Sequence, residues 1–316
     1  MQYLDFEQTI LEIDSRLSLV ETDGTRTAEE KKAEIERLKN KKDKALSSIY
    51  SNLSAWQKSA VARHEARPHT SDYINAIFQN FCILSGDRSF ADDKAIIGGF
   101  ADFEGQTVMI IGHEKGHDTE SRIVHNFGMA KPEGYRKAIR LMKMAEQFNV
   151  PVITLVDTAG AFPGMEGEER GQGQAIAAST EACLDLKVPL ICCIIGEGGS
   201  GGAIALAAGN KVLMLENSIY SVISPEGCAS ILWKDAKMAP KAAEILNLTA
   251  DDLLRLGIID EVIKEPVGGA HRYPKEAMGA LATSIKKHLD DLKQFTPDEL
   301  KAMRHEKFLS MTRDIL

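Results

Sequence analysis

The chain has 316 residues, 44% of them hydrophobic, with a formal net charge of -8, enough for one large domain with appendages and a sizeable core. The negative charge argues against nonspecific nucleic-acid binding as the main role, since that rests on a basic surface displacing counterions from phosphates. The five cysteines, Cys82, Cys183, Cys192, Cys193 and Cys228, are odd in number and form no C-x-x-C pair, which speaks against a zinc ribbon or a disulfide scaffold.

The start, Met1-Gln2-Tyr3-Leu4-Asp5-Phe6-Glu7, has no basic n-region and no apolar core, and no window approaches 18 uninterrupted apolar residues. The expectation is a cytoplasmic protein without membrane contact. Residues 1–60 are rich in Lys and Glu and read as a helical arm. A first helix carries Leu4, Ile10, Leu11, Leu17 and Val20, and Thr22-Asp23-Gly24-Thr25 separates it from a second carrying Ile35, Leu38, Ala45, Leu46, Ile49 and Leu53, all at helical spacing. The Lys39–Lys44 cluster reads as a solvated face, with reception of an anionic ligand as the alternative.

From about residue 93 the period changes. Lys94–Phe103 and Gln106–His113, separated by Glu104-Gly105, predict a hairpin. A polar loop, Glu114 to Lys131, leads to a helix opened by Pro132-Glu133-Gly134 and running to Phe148. The buried strand Val152–Val156 then enters Asp157-Thr158-Ala159-Gly160-Ala161-Phe162-Pro163-Gly164. The order repeats with a helix from about Glu168 to Leu186, a strand Val188–Ile195, the run Gly196-Glu197-Gly198-Gly199-Ser200-Gly201-Gly202-Ala203, a short helix ending at Gly209-Asn210, and a strand Lys211–Leu215. Such alternation predicts an α/β fold with a mainly parallel sheet and right-handed crossovers. Both glycine junctions, 157–164 and 196–203, then open on one edge, where ligands of such sheets bind. Helices follow over 239–245 and from 250, and a last helix over 276–292 is expected to pack on a partner or on the arm.

The glycine run admits several chemistries. Five glycines in seven positions strip the strand-to-helix junction of side chains, so backbone N–H groups at the helix N-terminus can meet developing negative charge; a tight turn serving only close packing is the plainer alternative. Gly198-Gly199-Ser200-Gly201-Gly202 also satisfies G-x-S-x-G, with Asp235 or Asp260 and His271 following in hydrolase order, although that order is easily met by chance among 8 histidines. The letters of a dinucleotide fingerprint occur too late in the chain, and no Gly-Lys-Ser/Thr follows to make a P-loop. What remains is an amide-built anion site serving chemistry in which a carbonyl oxygen becomes an enolate.

Several segments carry a family resemblance: Gly128-Met129 with Pro132–Ala138, Asp157–Gly164, Glu168–Gln172, Ile195–Ala203 and Tyr220–Ala229, together with Leu4-Asp5-Phe6-Glu7 and Gly268-Gly269-Ala270-His271. The chain resembles the carboxyltransferase alpha subunits of bacterial acetyl-CoA carboxylases over nearly its whole length. It departs at Ala159 and Phe162, where that family more commonly has Pro or Lys and Tyr, and at Gly173, where Ser is usual. The resemblance implies a crotonase-like (ClpP/crotonase) fold of repeated β-β-α units over 61–265, with the helical arm before it and a C-terminal helical segment over 266–316. It implies transfer of a carboxyl group from carboxybiotin on a biotin carboxyl carrier protein to acetyl-CoA, giving malonyl-CoA for fatty-acid biosynthesis. ATP is consumed by a separate biotin carboxylase, and no metal is expected in this chain. The implied partner is a homologous beta subunit with a zinc ribbon, in an alpha2beta2 heterotetramer. The N–H groups of Gly201 and Gly202 are assigned to biotin's ureido oxygen, supported by Gly198, Gly199 and Ser200, with Gly160, Ala161, Phe162 and Gly164 on the neighbouring wall. Arg136 and Lys137 meet either an anionic ligand or a salt bridge to Glu133 or to the partner, and Glu168, Glu169 and Arg170 hold an interface or order the loop. An inactive crotonase-like scaffold is the non-enzyme alternative.

Overall fold

Apolar strands alternating with helices build a single mixed sheet between two helical layers. A computed structural model describes residues 2–311 and 313. Strands β1 (Gln79–Ile83), β2 (Ile96–Phe103), β3 (Gln106–His113), β4 (Val152–Thr158), β5 (Leu190–Gly199), β6 (Lys211–Leu215), β7 (Ile219–Ser221) and β8 (Glu261–Ile263) lie in the order β1-β2-β3-β4-β5-β6-β8, with β7 paired to β5. The pairings β1–β2 and β2–β3 are antiparallel and every later one is parallel. The expected hairpin is β2–β3, turning through Glu104 and Gly105 at φ 48° and 79°, the paired left-handed residues that a two-residue turn needs to match strand twist.

The arm is α1 (Gln8–Thr22) and α2 (Ala28–Tyr50), followed by α3 (Ala55–Ala62) and α4 (Thr70–Ile77). Helices α5 (Thr119–Val124), α6 (Pro132–Gln147), α7 (Met165–Glu169), α8 (Gln172–Asp185) and α9 (Ser200–Ala207) interleave with the central strands. Then come α10 (Pro225–Trp233), α11 (Ala239–Ile245), α12 (Ala250–Arg255), α13 (Pro274–Leu292) and α14 (Pro297–Ser310).

Side chains alternate across a strand, so neighbours enter different cores. Cys192 packs with Leu141 and Met142 of α6 and Leu206 of α9, whereas Cys193 packs with Tyr73 of α4 and Leu281 and Ile285 of α13. Burial on both faces explains why β5 reads as an unbroken apolar run. It also corrects the expectation for the last helix. The stripe Met278, Leu281, Ile285, Leu289 and Leu292 of α13 lies on this chain's own sheet, not on the arm, because that face of the sheet would otherwise be wet, and burying each such side chain contributes about 1.5–3 kcal/mol.

Two further expectations are corrected. The single helix over 168–186 is two, because Gly171 at φ 78° caps α8 in a left-handed conformation that α7 cannot continue through. The strand also extends beyond Ile195. β5 continues to Gly199, so Gly196, Gly198 and Gly199 are strand residues.

Within the arm, Thr27 and Glu30 form a capping box at the start of α2, and Ile13, Val20 and Leu38 form its small core. Lys42 pairs with Asp14 at 2.6 Å, while Lys39, Lys41 and Lys44 are exposed, the solvated face that the composition suggested. Glu7 is fully buried and accepts from the Tyr50 hydroxyl at 2.8 Å and from Arg272 at 2.7 Å.

Candidate active site

Because β4 and β5 run parallel, the two glycine-bearing junctions emerge on the same edge, with Thr158 in register with Gly198. The loop after β4 is held by its own backbone. Thr158 Oγ1 donates to the Gly160 carbonyl at 2.7 Å and accepts the Gly160 N–H at 3.1 Å, while Gly160 itself sits at φ 150°, a value that L side chains rarely adopt. Further along, the Phe162 N–H donates to the Ala130 carbonyl at 3.0 Å, and Gln172 Nε2 bridges the carbonyls of Ala130 and Phe162 at 2.8 and 3.0 Å.

The glycines of the run serve close approach, and the turn itself is made by Ser200. Ser200 has φ 51°, a left-handed value at an exposed position between strand and helix. A Cβ on Gly199 would strike the Ala159 carbonyl, and one on Gly202 would lie 2.6 Å from the Gly160 carbonyl carbon and 2.9 Å from the Ala161 nitrogen. A Cβ on Gly198 would come within 2.9 Å of Tyr220 Cδ2. Gly201 differs: its Cβ would meet only Ile176, at an ordinary 3.4 Å. Thus Gly198, Gly199, Ser200, Gly201, Gly202, Gly160 and Ala161 are brought together. Phe162 and Gly164 pack on one another, with Lys131 Nζ 4.8 Å above the Phe162 ring.

The first N–H groups of a helix lack intrahelical partners and carry the positive end of its dipole. In α9 these are the amides of Ser200, Gly201 and Gly202. Beside them lies an apolar hollow of about 400 Å³, lined by Ser200, Gly201, Ile204, Tyr220, Val222 and Leu253.

A buried charge network that sequence reasoning missed supports the turn. Asp157, at the end of β4, accepts the Glu197 N–H at 2.9 Å and pairs with Lys115 Nζ at 2.7 Å and His69 Nδ1 at 3.0 Å. Burial alone pushes its carboxyl up, but Lys115 and His69 outweigh burial and hold it well below the usual carboxylate range. Glu197 in turn takes Arg63 at 2.7 Å, and Arg63 also reaches Glu226 at 2.7 Å. Nearby, burial pushes the His113 ring down to about 4, so it is neutral at physiological pH. Arg67, also buried, donates to the Ile195 carbonyl at 2.8 Å and to Glu265 at 2.6 Å, fixing β5 from behind.

The hydrolase arrangement is not assembled. Asp260 accepts the Val212 N–H at 2.6 Å and pairs with Lys307, at the N-terminal end of β6 and so at the edge of the sheet opposite Ser200. Asp235 accepts the Lys237 N–H, and His271 stacks on His64 at 4.2 Å under the arm. Arg136 and Lys137 are engaged within the chain, with Asp87 at 2.7 Å and Asp92 at 2.6 Å, and Arg170 pairs with Glu133. Glu168 and Glu169 are exposed.

A family model described as acetyl co-enzyme A carboxylase carboxyltransferase-like matches residues 3–312. The chain belongs to this family. A relative from Paramagnetospirillum magneticum, named acetyl-coenzyme A carboxylase carboxyl transferase subunit alpha, is 57% identical over 317 residues, 99% of each chain. One of the same name from Zymomonas mobilis is 57% identical over 311 residues, covering 98% of this chain and 99% of the relative. The crystal structure of transcarboxylase 12S superposes with a TM-score of 0.54 at 21% identity, over 69% of this chain and 42% of the other. The fold is the crotonase-like one of the carboxyltransferases, and the chain is a carboxyltransferase component of acetyl-CoA carboxylase, a transferase.

Proposed function

We propose that the Gly199–Gly202 turn is the biotin-facing half of a shared active site, in which the N–H groups of Gly201 and Gly202 hold the ureido oxygen. The observation that carries this reading is the glycine pair Gly201–Gly202 in the first turn of α9, closed from one side by Gly160 and Ala161 and open on the other to an apolar hollow. The residues fit such a group. A polar oxygen meets amides at a helix N-terminus, while Tyr220, Val222 and Leu253 offer apolar walls.

Carboxybiotin, when bound, supplies the carboxyl group and a nitrogen able to take the acetyl methyl proton. This chain's share is to bind and stabilise. The two amides favour the charge that develops on the ureido oxygen, and loss of one such donor typically costs about 3 kcal/mol. Asp157 holds the strand that delivers them through the Glu197 N–H, so the donors are fixed before the reaction begins.

In this reading the second oxyanion site, for the thioester, lies on a homologous beta subunit carrying a zinc ribbon, in an alpha2beta2 assembly served by the biotin carboxyl carrier protein and biotin carboxylase in the cytoplasm. Val222, at the rim of the hollow, and Ile231 and Leu232 on the following helix are 78%, 71% and 61% exposed, an apolar surface suited to cover by a partner. Among the described residues no helix is long and apolar enough to cross a membrane. The division into an arm (1–60), a carboxyltransferase domain (61–265) and a C-terminal helical segment (266–316) belongs to the same proposal.

The test is carboxyl transfer between malonyl-CoA and free biotin by the assembled complex carrying Gly202→Val, with assembly verified by co-purification. A loss of at least about 100-fold is expected from displacement of the donors. A normal rate in the intact complex would refute the assignment.

A further inference from the structure

Arg63 caps the C-terminal end of α3 and does not line the apolar hollow, yet it reaches both of the elements that shape it. Its guanidinium is divided between two carboxylates. Nε and Nη2 meet Glu197 Oε1 at 2.8 and 2.7 Å, and Nη1 donates to Glu226 Oε1 at 2.7 Å. Glu197 stands on β5 just ahead of the Ser200 turn, and Glu226 lies in the first turn of α10. Between them run β7, whose Tyr220 and Ser221 are in register with Gly198 and Gly199, and the connector 222–224. Tyr220, Ser221 and Val222 line the hollow together with Ser200 and Gly201.

The two carboxylates depend on Arg63 unequally. Glu197 also has Lys115 Nζ at 3.7 Å, whereas among the described residues Arg63 is the only cation within ion-pair distance of Glu226. The connector itself is lightly held. Ile223 packs on the small core of α10 and α11, but its N–H makes a long contact, 3.4 Å, to Ser221 Oγ, and Val222 is 78% exposed. Helix α3, by contrast, is a firm base: its Ala55 and Ala62 share a core with Ile219 of β7, Ala243 of α11 and Leu248, and its Lys58 pairs with Asp251 at 3.0 Å. The start of α10, and with it the Val222 rim, is thus tied by an ion pair to a neighbouring helix that is fixed independently.

We propose that Arg63 is a positioning residue of the biotin-facing hollow: by holding Glu197 and Glu226 on one guanidinium it fixes the Val222 rim relative to the amide turn. This rests on the function proposed above for the turn and the hollow. A planar ion with its donors in a rigid fork sets the separation of the two carboxylates it binds, which a single ammonium on a flexible stem does not. Cutting the link loosens the rim and leaves the amides in place, because Asp157 holds the Glu197 N–H independently of Arg63. A looser rim weakens the grip on the bound ring before and during transfer alike, and such a loss of uniform binding raises KM without lowering kcat.

Two measurements on the assembled complex test the link, with assembly verified by co-purification. In steady-state carboxyl transfer between malonyl-CoA and free biotin, Glu226→Ala and Arg63→Met should each raise KM for biotin about tenfold, with kcat within about threefold of wild type. The double variant should be no more than about twofold worse than Arg63→Met, since both changes cut one link. Arg63→Lys keeps the charge without the fork and should stay at least about fivefold above the wild-type KM. Hydrogen exchange without substrate should be at least about tenfold faster for the amides of 223–228 in Glu226→Ala. That readout needs no turnover, so its outcome is separate from that of the Gly202→Val experiment. Unchanged exchange overturns the link whatever Gly202→Val shows. Faster exchange with an unchanged KM for biotin, or a fall in kcat at constant KM, overturns the positioning role.

Discussion

The Asp157 carboxylate holds the backbone N–H of Glu197 at 2.9 Å, across from the strand that ends in the Ser200 turn. One buried acid thereby joins the ends of β4 and β5 and, through Lys115 and His69, anchors both to flanking loops. Asp157→Asn leaves Lys115 without its main counter-charge; the expected loss of stability is about 3 kcal/mol, read from chemical unfolding. Burial raises the Asp157 carboxyl, but Lys115 and His69 outweigh it and leave the folded value depressed. Its stabilisation is therefore complete above the ordinary carboxylate range and disappears as pH falls through the folded value. An Asp157→Asn variant as stable as wild type at neutral pH would show that the tether is redundant.

Gly201 and Gly202 separate the two duties of the turn. Gly202→Ala drives a methyl group into the Gly160–Ala161 backbone and should lower carboxyl transfer by about 100-fold, whereas Gly201→Ala meets only Ile176 and keeps its amide, with activity expected within about threefold. The comparison is made with the purified complex under saturating substrates. Equal losses in both variants contradict a division between donor and contact.

Ser200 is the one residue of the turn whose side chain opposes its backbone. Ser200→Gly removes a left-handed strain at φ 51° and should raise stability by about 0.5–1 kcal/mol, less whatever flexibility glycine adds to the unfolded chain. Carboxyl transfer should persist, and a fluorophosphonate probe should not label the wild-type serine. Abolished transfer with normal folding would restore Ser200 to the chemistry.

His113 provides a pH signature. Burial, aided by Lys115 and opposed by Asp157, places its titration at about 4 against an ordinary value of 6.5. The unfolded chain therefore takes up this proton first, and stability falls as pH drops from about 6.5 to about 4, at roughly 1.4 kcal/mol per pH unit for one such group. Thermal unfolding across that window should flatten in His113→Met. An unchanged slope would point to other groups.

The layered sheet was legible because its strands carry the signal themselves. Val188–Ile195 has no alternation, so it has to be covered on both faces, and two glycine-bearing junctions after parallel strands converge on one edge. The location of the site was legible for the same reason. Its supporting charges were not: Arg63 meets Glu197 across 134 positions, and α3 and α4, which deliver Arg63 and His69, are single short helices of 8 residues each. Neither period nor spacing marks such a pairing. The direction in which glycine acts was also hidden. The letters left bared amides and close packing as alternatives, while at 199 and 202 the structure shows a requirement for space against a neighbouring backbone.

The bond between Glu7 and Arg272 spans 265 positions, and it sets an order of events during synthesis. At about 5–20 residues per second, roughly 13–53 s separate emergence of the buried acid from emergence of its partner. The arm therefore leaves the ribosome with an ionised Glu7 whose partner Arg272 does not yet exist, and that bond waits until every strand of the sheet, through β8, has been made. Glu7 is translated well before its partner and is among the last residues to find its place.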